Sequence, residues 1–291
     1  MTAVDTTANL AAENPTPTRR ARKAGRLSVG VSYAILLLVL IVVLFANFLA
    51  PYDPNKQDLN AILLPMSGDH WLGTDDLGRD VFSRMLYGTR VSVLAALLAV
   101  AISVVIGLPL GIAAGWLSGA TDLIVMRVVD AVMSFPAIVL AIGITATMGP
   151  DITTAMISVG IVMSPAILRL ARAQTMAIRS ETYIEAAKSF GARGLRRMVL
   201  PHVLPNIIQP ILVQVAVLMG FALIAEASLS FLQLGVQPPT ASWGAVLSRA
   251  YTFLDQAPMQ IFIPGIAIAA TVFAFNIIGD EIQRLLDPKR K

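Results

Sequence analysis

Cysteine is absent from the 291 residues, which excludes disulfides, thiolate metal sites and cysteine nucleophiles. Histidine is nearly absent: His70 and His202 lie far apart in the chain, which argues against a classical zinc site. Charge is scarce too. Only 14% of the residues are charged, against about 25% in a typical soluble domain, and no polar stretch is long enough to hold such a domain. The phosphate-cradling pattern G-x-x-x-x-G-K-S/T is missing, so the chain carries no P-loop of its own. What is plentiful is apolar: 56% of residues are hydrophobic and the mean hydropathy is +0.73. An integral membrane protein follows, with the lipid bilayer as its first partner. The net charge of +4 points to nucleic acid in a soluble protein, but here the basic residues flank apolar runs. Membrane orientation accounts for them, and no nucleic-acid partner is expected.

Along the chain, residues 1–28 read as a disordered tail, polar at first and closed by Arg19, Arg20, Arg22, Lys23 and Arg26. The run Val29–Ala50 has 22 residues, longer than the ~7–15 of a signal-peptide core, and no good cleavage site follows. It reads as a retained first transmembrane helix, ended by Pro51. Residues 51–88 form a polar loop, and 89–281 hold a five-helix core with apolar runs at 91–116, 123–148, 152–170, 207–231 and 259–279. Residues 282–291 are a basic tail. Gly107, Gly111 and Gly115, spaced by four, let helix backbones approach closely, and Pro109 among them predicts a kink. Arg127 and Asp130 lie one turn apart and predict an ion pair at headgroup level. Phe135-Pro136 and Pro264-Gly265 break their runs, as hinges or as plain kinks.

Six spans, each near the ~20 residues a bilayer requires, put both termini on one side. Seventeen Lys and Arg lie with the termini and the 171–206 segment, and five (Lys56, Arg79, Arg84, Arg90, Arg249) with the other face. The positive-inside rule therefore places the termini and that segment in the cytoplasm, and loop 51–88 outside. Tyr52, Trp71, Trp243 and Tyr251 fall in the outer loops, where aromatic anchors belong.

The cytoplasmic loop 180–206 is the most informative stretch. Ser180 is read as an N-cap, Glu181 complements the helix dipole, and Gly191 supplies a left-handed stop. A helix of about ten residues is marginal alone and needs a surface to pack on. Tyr183, Ala187 and Phe190 share one face, a short apolar stripe suited to a groove in a partner. Lys188, Arg193, Arg196 and Arg197 would ring that contact. The competing reading is a surface helix on anionic lipid headgroups.

Resemblance separates the two. EAAKSFG (185–191) followed by LPHVLPN (200–206) resembles the EAA loop of the membrane subunits of bacterial binding-protein-dependent ABC importers. HWLGTDDLGRDVFSRMLYGTRVS (70–92), EASLSFLQLGVQPPTASWG (226–244) and FNIIGDEIQRLLDPK (275–289) resemble the C-type permease of oligopeptide, dipeptide and nickel importers. The resemblance covers about residues 27–289. It implies an all-α, six-helix type I importer fold (MetI-like) in the bacterial plasma membrane, forming half of a translocation pore for short peptides. It implies a homologous B-type permease as heterodimer partner, an external substrate-binding protein, and two ATPase domains, separate or fused. Those subunits would bind ATP and Mg, this chain holding no cofactor and catalysing nothing. In the family the loop's short helix docks in a cleft of the ATPase, which here assigns docking to Tyr183, Glu185, Ala186, Ala187, Phe190 and Gly191. The gap from Gly191 to Pro205 exceeds the family spacing by one residue, and Pro201 stands where a basic residue is frequent. A local bulge or kink is expected there.

Other residues keep two readings each. Asp75, Asp76, Arg79 and Asp80 either pack the outer loop through an Asp–Arg pair or border the binding-protein surface. EF-hand spacing is missing and Arg79 sits among them, so no metal site is expected. Glu226, an intramembrane carboxylate, either lines the pore mouth and meets a peptide amino terminus or fixes a turn through Ser228, Ser230 or a neighbouring loop. Phe135 and Pro136 are gate candidates alongside it. His202 is expected to cap or pack at the loop's end. Nickel or another peptide-like solute is the alternative cargo. A stand-alone secondary transporter, the alternative of another class, would show more intramembrane polar residues and an internal repeat. An intramembrane hydrolase would need a nucleophile–base pair, and neither histidine lies in a span.

Overall fold

The protein is described by a computed structural model that covers residues 19–190 and 198–286, with side chains from Leu27 onward except that of Lys188. The start of the N-terminal tail, Gly191 with the basic residues 193–197, and the last five residues lie outside the described residues. All regular elements described are helical: α1 (Arg19–Leu49), α2 (Val81–Leu117), α3 (Gly119–Met133), α4 (Ala137–Met148), α5 (Ile152–Arg179), α6 (Thr182–Ser189), α7 (Leu204–Phe231), α8 (Trp243–Thr252) and α9 (Phe262–Leu286). Five helices are long and apolar enough to cross a membrane, and the bent pair α3–α4 makes a sixth.

α1 begins at Arg19, so the basic cluster read as tail is its first turns. α2 begins ten residues before the apolar run at 91, because Asp80 is extended and its carboxylate accepts the Ser83 amide at 2.8 Å. At 1.5 Å per residue, α2 is roughly 55 Å long, well beyond a ~30 Å hydrocarbon layer. It also continues through Pro109 without a break.

The principal seam joins α2 to α5. A Cβ on Gly107 would stand 2.6 Å from the Ser164 carbonyl oxygen, one on Gly111 2.4 Å from that of Leu168, and one on Gly115 2.7 Å from that of Arg172. Gly160 of α5 meets the Ala99 carbonyl of α2 in the same way, at 2.7 Å. Four small residues thus bring two backbones into direct contact. The pairings 99 with 160, 107 with 164 and 115 with 172 also show that the two helices run parallel.

Parallel neighbours require the chain to return between them, and α3–α4 is that return. The expected single helix 123–148 is instead two, meeting at 90° across Ser134-Phe135-Pro136. Pro136 explains the stop, since it disfavours helical backbone at Phe135 and offers no N–H. α4 packs along α5, with Ala137–Ala141 beside Val162 and Met163 and the Thr154 hydroxyl donating to the Gly149 carbonyl at 2.7 Å, while α3 reaches α5 through polar side chains. Arg172 grips Asp122 through two nitrogens, Nη2 to Oδ2 at 2.6 Å, and Arg179 donates to the Ser118 hydroxyl. The expected Arg127–Asp130 pair is replaced by Arg169 Nη2 to Asp130 Oδ1 at 2.7 Å. The long arginine side chain reaches that carboxylate from α5. α7 crosses beside α2 and α5, α9 packs on α7, and α1 lies along α9 and α2 with its outer face exposed. The core runs through Ala96, Ala99, Met156, Ile167, Leu223 and Leu229.

Candidate functional site

At one end of the bundle, α5 runs nine residues past the expected stop at 170 and ends at Arg179. Ser180 therefore closes α5, donating its hydroxyl to the Ala177 carbonyl at 2.8 Å, and does not cap the next helix as expected. α6 begins at Thr182, its first turn closed by the Ile184 amide on the Glu181 carbonyl at 3.0 Å. Ile184 is fully buried, while Tyr183 is 43% and Phe190 93% exposed. The helix is thus pinned by one apolar side chain and presents its aromatics outward. Glu185 and Ala186 are exposed and Ala187 half-buried. Tyr183 lies against His202, ring centroids 6.5 Å apart, and its hydroxyl accepts Asn206 Nδ2 at 3.4 Å. Asn206 also donates to the His202 carbonyl at 2.6 Å.

The approach to α7 is a five-residue π-helical turn, Val199–Val203, with Pro201 at its centre. Its bond from the Leu204 amide to the Val199 carbonyl spans five residues where an α-turn spans four. The turn takes up one extra residue, the same excess as in the 191–205 spacing.

At the opposite end, residues 51–80 fold over the mouth of α2. Asp75 accepts Arg79 Nε at 2.7 Å and forms an ion pair with its Nη2 at 2.6 Å, with Arg84 Nε 3.5 Å away. Arg84 also donates to the carbonyls of Pro54 at 2.9 Å and Pro239 at 3.3 Å, tying residues 51–80 and the α7–α8 loop to α2. Asp80, besides capping α2, lies 2.9 Å from His70 Nδ1. Gly78 has φ +70°, and a Cβ there would overlap the Asp58 carbonyl at 1.8 Å, so only glycine completes this turn. Asp75, Arg79 and Asp80 are buried. Asp76 differs: it faces Arg249 of α8 at 3.3 Å on a polar cavity of about 420 Å³.

Glu226 sits beneath this layer, 1% exposed, accepting Ser230 Oγ at 2.8 Å and Ser92 Oγ at 2.9 Å. Ser92 in turn accepts the Trp243 amide at 3.0 Å, and Trp243 Nε1 donates to Thr89 at 3.2 Å. α2, α7 and α8 therefore meet at one carboxylate. Ser228 donates instead to the Ile224 carbonyl. Phe135 and Pro136 are exposed at the α3–α4 corner, away from Glu226's enclosed partners. Among the described residues, no group of three or more His, Asp or Glu is placed to hold a metal ion.

Residues 107–291 match the family described as binding-protein-dependent transport system inner membrane component, and residues 30–65 match the N-terminal TM domain of oligopeptide transport permease C. The chain belongs to the inner-membrane permeases of binding-protein-dependent transport systems. The permease is 42% identical over 258 residues to the probable D,D-dipeptide transport system permease protein of Escherichia coli, covering 89% of this chain and 86% of that one. It is 41% identical over 272 residues to the glutathione transport system permease protein of Pectobacterium atrosepticum, covering 93% and 90%. A multi-pass inner-membrane component of the type I importer fold is therefore established; the 107–291 match includes the stretches 185–206, 226–244 and 275–289, and the stretch 70–92 lies between the two matched segments.

Several working residues of the permease escaped sequence reading. Ile184 is one apolar residue in a polar helix, and its burial depends on a long-range neighbour. Ser92 reaches Glu226 from 134 residues upstream, and no local pattern announces that meeting; Trp243, expected as an interface anchor, is instead buried with its amide on Ser92. Asp122 and Arg172 are 50 residues apart. Their charges beside apolar runs were the available signal.

Proposed function

We propose that this permease forms half of the translocation pathway of an ATP-driven importer for short peptides. The observation that carries the reading is α6, anchored by buried Ile184 and offering Tyr183 and Phe190 to a partner. The partner is an ATPase subunit, which receives Tyr183, Glu185, Ala186, Ala187 and Phe190, with Gly191 following, in a surface cleft. Two ATPase domains serve a heterodimer of this chain and a homologous B-type permease. They bind ATP and Mg, and this chain holds no cofactor and performs no catalysis. A substrate-binding protein delivers solute to the outer face, where Asp76 and Arg249 flank an open polar cavity. Both termini and α6 are cytoplasmic, in keeping with the excess of Lys and Arg at that end.

Peptide cargo is supported by the dipeptide and glutathione systems in which the relatives' names place them. Closure of the ATPases moves α6. Its link through Tyr183, His202 and Asn206 passes the motion to α7, and the Phe135-Pro136 corner is the hinge and gate candidate on the α3–α4 crossing. Glu226 acts as a latch of the outer end, joining α2, α7 and α8, and not as a ligand of the solute.

The test is reconstitution. The purified chain in liposomes should hydrolyse no ATP and move no peptide, whereas liposomes with all subunits and the binding protein should accumulate labelled short peptides on ATP addition. Coupled uptake by the lone chain would end the subunit reading.

A further inference from the structure

The half of the bundle nearest α6 contains a cleft of about 540 Å³ between α5, α7 and α9. Five of its eight lining residues are carboxamides: Gln174, Asn206, Gln209, Gln214 and Gln283. The other three are apolar, and no charged side chain lines it. Asn206 and Gln209 are engaged, on the carbonyls of His202 and Leu286. Among the described residues, the side-chain amides of Gln174, Gln214 and Gln283 have no hydrogen-bond partner. Gln174, Asn206 and Gln283 lie beyond the apolar runs of their helices, and Gln214 stands seven residues into the run that begins at Ile207, about 10 Å along α7.

An unpaired amide on an apolar run costs on the order of a few kcal/mol if it faces lipid, so Gln214, continuous with the carboxamides beyond the run, marks a surface that is not lipid-facing. Helix–helix contacts in membranes favour small side chains, and α2–α5 shows what this chain does at such a seam. Long glutamines around an open cleft are the opposite arrangement. A carboxamide donates and accepts at once and stays neutral at every pH. The peptide bond carries the same pair of groups, repeated whatever the side chains. Neutral amides also bind weakly enough to release a solute that must pass on.

We infer that this cleft is a wall of the translocation path that handles the peptide backbone, with Gln174 and Gln214 as its principal contacts. The cargo class is an amide-bearing solute, held here by its neutral backbone amides independently of its side chains. The inference rests on the peptide-permease reading above.

The test uses the complete transporter with its binding protein in liposomes and a labelled pool of short peptides. Gln174→Leu and Gln214→Leu should each slow uptake about fivefold, as expected for one neutral hydrogen bond. Peptide affinity of the binding protein and co-purification of the subunits should be unchanged, and Gln214→Asn should recover part of the rate. Backbone N-methylated peptides should be carried more slowly than unmodified ones by the natural transporter, and that gap should narrow in the leucine variants. Uptake at the natural rate in both variants overturns the inference while leaving the peptide reading intact. Loss of the partner permease on purification overturns it as well, by showing a subunit interface. A natural transporter that carries no peptide from the pool overturns the peptide reading and this inference with it.

Discussion

Ser92 Oγ on α2 donates to Glu226 Oε2 on α7 across 2.9 Å, and the same serine accepts the Trp243 amide of α8 at 3.0 Å. A single hydroxyl thus passes one helix's carboxylate to another helix's N-terminus. Because Glu226 is 1% exposed, removing it strands two buried hydroxyls. Glu226→Ala should destabilise the outer end by on the order of 2 kcal/mol, visible as a lower melting temperature of the purified permease, with Glu226→Gln intermediate. Ser92→Ala should produce a similar loss. If Glu226→Gln instead abolished peptide uptake at an unchanged melting temperature, the carboxylate would be a solute ligand and the latch assignment would be wrong.

The α2–α5 seam makes a sharper demand. Alanine at Gly111 would put a methyl 2.4 Å from the Leu168 carbonyl oxygen, and backbone cannot move aside as a side chain can. Overpacking of this kind costs about 1–3 kcal/mol, and Gly107 and Gly160 make equivalent contacts. Gly111→Ala should therefore lower folded yield and melting temperature. Gly143 on α4 is the control, with nothing within 4 Å of where a methyl would stand. There alanine should be neutral or stabilise by about 0.5–1 kcal/mol through helix propensity alone. Equal effects at both sites would mean that the seam is not formed as described.

How much of this was legible beforehand depended on the range of the interaction. The four-residue glycine spacing states its purpose locally, since small residues one turn apart serve close approach in any membrane helix. The extra residue before Pro205 likewise foretold a local irregularity, and a π-turn absorbs it. The 90° corner at Pro136 was legible as a break but not as an angle, because the angle follows from α4 packing along α5 while Asp122–Arg172 and Asp130–Arg169 hold α3. Asp130 choosing Arg169 over Arg127 is decided by the neighbouring helix, which no single-helix periodicity reveals. Ser180 departs from its expected capping role for a related reason. α5 continues past its apolar run because Arg172 and Arg179 are held by α3, so the hydropathy boundary and the helix end differ. The carboxamides of the α5–α7–α9 cleft are scattered over more than one hundred residues and converge only in the folded bundle.

Asp75 and Arg79 predict an asymmetry between removal and replacement. Both are buried, with Arg84 beside them. Asp75→Asn leaves the arginines without their shared carboxylate, and breaking a buried pair from one side costs about 3–5 kcal/mol. Residues 51–80 should then become protease-sensitive in right-side-out vesicles. The double substitution of Asp75 and Arg79 by residues of similar volume, Asp75→Leu with Arg79→Met, should recover much of the resistance. A single variant as resistant as the natural protein would show that the pair contributes nothing to holding the loop.

On the proposed reading, Tyr183–Phe190 separates fold from coupling within eight residues. Ile184 is buried and Phe190 is 93% exposed, so their substitutions should fail in different assays. Ile184→Asp places a carboxylate against the bundle and should detach α6, lowering thermal stability and subunit assembly together. Phe190→Ala removes only an outward ring. It should leave insertion and melting temperature unchanged while reducing the peptide carried per ATP hydrolysed by the reconstituted transporter. Glu185→Lys, an exposed charge reversal on the same helix, should do likewise, and deletion of Tyr183–Phe190 should abolish coupling with the spans still inserted. If Phe190→Ala and Glu185→Lys both left the peptide-to-ATP ratio intact, α6 would not be the element that the ATPase grips, and its aromatics would belong at the lipid surface.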